Sequence, residues 1–124
     1  MLYMLLICYD PTLPIIATEQ NLQPEHHRLE LELRQKGVYV SGAGLWPVEA
    51  AKNVQHQSGQ EIVTDGPFAE TKEAVGGYYI VDCEGAEAMT IAARIPVESR
   101  SWVQVRPIAL FHPNVARISQ MKED

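Results

Sequence analysis

Between Thr64 and Gly77 the chain reads TDGPFAETKEAVGG, and groups able to do chemistry are concentrated there. Asp65, desolvated beside a cavity, would rise in pKa toward neutrality and serve as a general base. Glu70 and Glu73 stand three apart, so one helical turn puts both on one face, where two carboxylates can share a proton or a cation. Lys72 lies between them and either anchors an anionic ligand or pairs with a neighbouring glutamate. Each group also has a plainer use. Asp65 suits an Asx turn ahead of Gly66-Pro67, and the glutamates suit a solvated face. The catalytic expectation is Asp65 and Glu70 as the working carboxylates, with Lys72 binding ligand.

A second set of candidates follows from strand ends. Tyr9 and Asp10 close the first apolar run, at the strand terminus where ligands of open sheets often bind, and Tyr78 opens the neighbouring run. Their rings serve equally as core. Arg106, on the polar face of the last strand, is either an anchor for a carboxylate or a partner for an acid. Trp46 follows two glycines and suits a cavity mouth or, better, a subunit boundary. His26 and His27 are adjacent and point to different helix faces, while His56 and His112 have no spaced partner, so no metal site is expected. No phosphate-cradling glycine loop and no GxSxG elbow is present, so no cofactor is expected either. Cys8 and Cys83 lie in apolar runs without CxxC spacing and read as buried free thiols.

These residues must be positioned by a small set of elements. Leu2 to Tyr9 is apolar at odd and even positions alike, which marks a central strand covered on both faces. Pro24 suits a first helical turn. Leu22, His26, Leu29 and Leu33 follow at helical spacing until Gly37, giving a helix over about 24–36. Val38 to Val40 begins a short strand, and Gly42, Gly44 and Pro47 predict a bend there rather than a continued ladder. Lys52 to Gln57 and Gln60 to Thr64 flank Ser58-Gly59 as a hairpin. Tyr78 to Cys83 is a further central strand entered through Gly76-Gly77, and it should neighbour the first. Ala86 to Arg94 is a second helix, and a last strand runs through Trp102, Val103 and Val105. From about 113 onward the chain is a polar tail.

With 124 residues and 46% apolar content, the chain suits a single domain over 1–124. Sixteen acidic residues face ten basic ones without cationic clusters, so nucleic acid is not an expected partner. The N-terminal apolar run is far shorter than the roughly 20 residues of a membrane span and lacks a basic flank. A cytoplasmic protein with no membrane association is the expectation. The order βαβ, hairpin, βαβ fits a ferredoxin-like α+β fold with both helices on one sheet face. The first strand's second apolar face then needs a cover. A second copy of the chain, closing a dimeric α/β barrel, supplies one.

Four blocks, MLYMLLICYD at 1–10, SGAGLWP at 41–47, VTDGPFAETKEAVGGYYIVD at 63–82 and VQVRPI at 103–108, resemble DGPF-domain proteins of the YCII-related superfamily. The resemblance implies a dimeric α+β barrel of ferredoxin-like protomers. One related branch is similar to lactone-processing dehalogenases that use a His and Asp pair; here Tyr9 and Asp10 stand at the first strand's end with no histidine beside them. Other relatives are encoded beside extracytoplasmic-function sigma factors, which implies a regulatory or ligand-sensing role. Two functions follow as expectations: a cofactor-independent acid–base enzyme acting on a small anionic or lactone-like molecule, or a non-catalytic binding module.

Overall fold

The computed structural model describes residues 1–14, 21–68 and 71–114. Six strands and two helices follow in the order β1 (Leu2–Tyr9), α1 (Gln23–Gln35), β2 (Tyr39–Gly44), β3 (Lys52–Gln57), β4 (Gln60–Asp65), β5 (Ala74–Asp82), α2 (Gly85–Arg94) and β6 (Ser101–Pro107). Four of the strands form an antiparallel sheet in the order β2-β5-β1-β6, which is compatible with a ferredoxin-like arrangement. β1 and β5 occupy its centre, as their two-faced apolar runs require.

Both helices pack on one face of this sheet. Alternation along β1 and β5 sends Leu5, Tyr79 and Val81 to that face, where they meet Leu29 and Leu33 of α1 and Ile91 and Ala92 of α2. Leu5, Leu33 and Val81 are fully buried. The opposite parity, Met4, Leu6, Cys8 and Ile80, faces away from the helices. Cys8 and Cys83 are both free thiols, the first buried and the second partly so, and burial pushes each thiol's pKa up.

Helix α1 ends through backbone chemistry legible in its residues. Gly37 takes φ +76°, its N–H donates to the Arg34 carbonyl at 3.0 Å, and the Val38 N–H donates to the Leu33 carbonyl at 3.1 Å. This six-to-one and five-to-two pattern is the Schellman closure that a left-handed glycine permits. It turns the chain directly into β2.

Two elements differ from expectation. β2 does not bend away at its glycines: pairing with β5 continues through Gly42↔Tyr79, Ala43↔Tyr78 and Gly44↔Gly77, with an irregularity between Tyr39 and Ser41. Gly42 of β2 and Gly77 of β5 sit where the strands approach closely. A Cβ on Gly77 would lie 2.7 Å from the Ala43 carbonyl oxygen, and one on Gly42 would lie 2.9 Å from the Tyr78 carbonyl oxygen. β5 correspondingly begins at Ala74 rather than Tyr78. Gly76 is its extra residue against β1, where the register shifts between Ile7 and Cys8.

The hairpin β3–β4 is a separate two-stranded sheet, turned at Ser58 and Gly59 with both φ positive. Its open end is closed at the Asp65-Gly66 turn. The Gly66 N–H donates to the Ala51 carbonyl at 2.8 Å, and Asn53 Nδ2 donates to the Gly66 carbonyl at 2.6 Å.

Candidate functional site

A cleft of about 640 Å³ opens on the helix side of the sheet, between α1, the ends of β1 and β2, and the segment that follows α2. That volume lies within the range of small-molecule sites. Its lining is aromatic: Tyr9, Tyr39, Tyr78, Tyr79 and Trp46 all contribute. Among its charged residues, Glu30, Glu49 and Glu98 outnumber Arg100.

His26 enters the cleft from the first turns of α1. Its Nδ1 lies 2.7 Å from the Tyr79 hydroxyl oxygen, and the two rings sit 5.9 Å apart between centroids. Burial holds the imidazole below the ordinary histidine range, with Glu25 and the Pro96 carbonyl opposing that shift only in part. The ring is therefore neutral at pH 7 and free to take a proton. Burial likewise pushes the Tyr79 phenol up to about 12, reinforced by the nearby Glu30 carboxylate and Tyr39. Tyr79 stays protonated, and its hydroxyl can donate to Nδ1 or accept from it. A protonated ring thus meets an acceptor already in place beside Nδ1, the Tyr79 oxygen.

Around this pair the wall is fixed by shorter-range contacts. Tyr39 stands edge-on to Tyr79, with centroids 6.5 Å apart and an interplanar angle of 88°. Its hydroxyl donates to Glu30 at 3.3 Å, and the Arg34 guanidinium covers its ring at 4.5 Å. Glu30 also accepts from Arg34 at 3.1 Å, so its charge is shared with a cation. On the far side the Tyr9 hydroxyl accepts the Val48 N–H at 3.0 Å, and Arg100 covers the Tyr9 ring at 4.9 Å. Trp46 stands on the lip, 86% exposed, yet the backbone on either side of it is tied down. Leu45 N–H donates to the Gly76 carbonyl at 2.9 Å, and Val48 N–H to Tyr9.

Of the residues expected from sequence, Tyr9 and Tyr78 line the cleft. Asp10, Lys72, Arg106 and Asp65 do not line it. Asp10 lies just beyond Tyr9, where its carboxylate accepts from the Thr12 hydroxyl at 2.6 Å and the Thr12 N–H at 2.9 Å. Those two bonds hold it below the usual carboxylate range, with weaker help from Lys72 and Arg100. Lys72 is exposed and does not line the cleft. Arg106 pairs in register with Met4 and is exposed. Asp65 ends β4 with a side chain 78% exposed, in a 2.7 Å ion pair with Lys52, outside the cleft lining. Its surroundings are those of a turn-holding carboxylate rather than a desolvated base. Glu70 lies outside the described residues.

Two cleft residues, His26 and Arg100, lie outside the site residues expected from sequence. The signal for His26 was present: it shares the apolar stripe of Leu22, Leu29 and Leu33 on α1, and a histidine in a core-facing stripe must find a buried partner. Arg100 had no comparable signal, because only the fold places the loop before β6 beside the end of β1. Among the described residues no helix is long and apolar enough to cross a membrane, and no three His, Cys, Asp or Glu side chains are placed to hold a metal ion.

Sheet, helices and cleft together define a small α+β domain with a ligand-sized aromatic site. Residues 1–112 match the family model of the YCII-related domain, and the chain belongs to that family. Over 74 residues it is 43% identical to an uncharacterized protein of Rhizobium meliloti (strain 1021), a match covering 57% of this chain and 60% of that protein. The chain thus spans about three-fifths of the length of that curated relative.

Proposed function

We propose that the chain is an acid–base enzyme, working without a cofactor, that moves a proton on a small lactone-like molecule bound in the aromatic cleft. One observation carries this reading: a neutral, half-buried His26 held by Tyr79 inside a cleft of small-molecule size. A general base must be unprotonated at the working pH, and burial, which lowers the imidazole, favours that form of His26. Tyr79, protonated at any physiological pH, steadies the ring and accepts from it once it is charged. Three glutamates against one arginine disfavour a strongly anionic substrate, so a neutral lactone fits better than a carboxylate. Asp65 takes a structural part in this reading, bracing the hairpin through Lys52.

A test is hydrogen–deuterium exchange at the carbon beside the carbonyl of small unsaturated lactones, followed by NMR in D₂O. The wild-type chain should accelerate exchange, and His26→Gln should lose that acceleration while keeping its fold. Equal rates with and without the wild-type protein would refute it.

The sheet face opposite the helices supports a second copy as partner. Met4 and Leu6 there are only partly buried, and Trp102 of β6, on the same parity, is 37% exposed. Part-exposed apolar residues on a sheet face, with the polar Gln104 and Arg106 beside them, are covered most simply by a two-fold mate. Light scattering of the full chain should return twice the protomer mass.

A further inference from the structure

Tyr9 and Arg100 form a second polar cluster in the cleft that the histidine pair does not use. The Tyr9 oxygen accepts from Val48 N–H, which occupies a lone pair and leaves the phenol hydrogen unspent among the described residues. Arg100 lies over the same ring with its side chain only 16% exposed. Its Nε donates to Glu98 at 3.4 Å and its Nη1 to the Leu13 carbonyl at 3.0 Å. A guanidinium carries five N–H donors, so several remain to be offered. An arginine this enclosed, with a single long carboxylate contact, is poorly compensated until another oxygen joins it. Tyr9 and Arg100 line the same cleft as His26 and Tyr79.

The local charge decides what that oxygen is. Glu98 reaches Arg100 through one 3.4 Å contact and offsets it only in part, while Glu30 and Glu49 add negative charge to the wall, so a carboxylate with its charge localised gains little on entry and a delocalised oxyanion is the better fit. A neutral carbonyl pays no such cost and becomes an oxyanion only during reaction. We propose that the Tyr9 hydroxyl and Arg100 form an oxyanion-binding corner that receives the carbonyl oxygen of a small lactone or ketone. The corner holds the enolate oxygen formed when His26 removes the adjacent C–H proton, and so rests on His26 as the base. In that step the C–H bond breaks, its electron pair becomes the enolate C=C bond, and the carbonyl π pair moves onto oxygen. The imidazolium then returns the proton to the same or a conjugated carbon, and nothing else is consumed.

The probe is p-nitrophenolate, a flat ring with a delocalised oxyanion and no C–H proton to lose to His26. Its visible band reports binding to the full chain, and p-nitroanisole, with the oxygen methylated, is the control. Wild type should bind the phenolate at least about tenfold more tightly than the anisole, the size expected for a charge-assisted hydrogen bond. Tyr9→Phe and Arg100→Gln should each weaken phenolate binding about tenfold and leave the anisole unchanged, with Arg100→Lys recovering part of the loss. Tyr9→Phe removes one atom and keeps the ring, so it carries the test if the arginine variants fold poorly. His26→Gln should keep phenolate binding while losing lactone exchange, which separates the corner from the base. Equal affinity of wild type for both compounds, no saturable phenolate binding, or unchanged phenolate affinity in Tyr9→Phe would overturn the assignment.

Discussion

His26 Nδ1 stands 2.7 Å from the Tyr79 hydroxyl oxygen, joining the first turns of α1 to the centre of β5. The contact fixes how the helix lies on the sheet and sets the protonation state of both partners. Burial lowers the imidazole and raises the phenol, so at neutral pH both are uncharged and the hydrogen bond costs no ion desolvation.

That depressed histidine makes stability depend on pH in a definite direction. Below about pH 6.5 the unfolded chain binds a proton at position 26 that the folded chain resists, so more protons are bound in the unfolded state. The stabilisation is complete above the unfolded value and is lost as pH falls from there through the lower folded value. His26→Gln removes this dependence. The unfolding free-energy difference between wild type and His26→Gln, measured by urea denaturation at about pH 7.5 and about pH 5, should narrow at the acid end. A difference that widens on acidification would contradict the burial of a neutral ring.

Tyr79→Phe deletes the hydroxyl and keeps the packed ring. It should cost roughly 1–2 kcal/mol, the penalty for leaving a half-buried imidazole nitrogen without its partner. Denaturant titration reads the loss. Spectrophotometric titration of wild type should meanwhile show one phenol that ionises only near pH 12, absent from the variant.

Much of this architecture is legible in residue order, and the exceptions share one cause. β1 and the later part of β5 announce themselves because both faces of each are apolar, and α1 because Gly37 closes it. The continuation of β2 is not legible. Gly42 and Gly44 read as a break, whereas in the sheet both continue the ladder with β5, and the tight approach at Gly42 and Gly77 is a property of two strands rather than one. The site divides in the same way. Tyr9 and Tyr78 follow from strand ends, while His26 and Arg100 acquire their meaning only across the sheet, from Tyr79 and Tyr9. The acid-rich turn drew attention by composition, yet Asp65 finds its partner in the hairpin's own Lys52.

Asp65→Asn therefore should cost less than about 1 kcal/mol, since an ion pair with side chains 70% and 78% exposed is screened by water and salt. It should leave lactone exchange and p-nitrophenolate binding at the wild-type level. A loss of exchange in a folded Asp65→Asn protein would return that carboxylate to the catalytic set and count against the cleft as the site.

The close approach of β2 and β5 gives a paired test of the cleft's floor. A methyl group on Gly77 would meet the Ala43 carbonyl oxygen at 2.7 Å, closer than real Cβ atoms come, and the obstacle is backbone that cannot rotate aside. Gly77→Ala must push the strands apart, breaking the ladder that carries Tyr78 and the Trp46 lip. The cost should be about 1–3 kcal/mol, as for overpacking elsewhere. Gly44, directly opposite in register, has open space where a Cβ would go. Gly44→Ala should stay within about 0.5 kcal/mol of wild type, as surface substitutions do. Thermal and urea denaturation of the two variants distinguishes close approach from mere turn propensity. If both glycines were needed only to bend the chain, the two substitutions would cost the same.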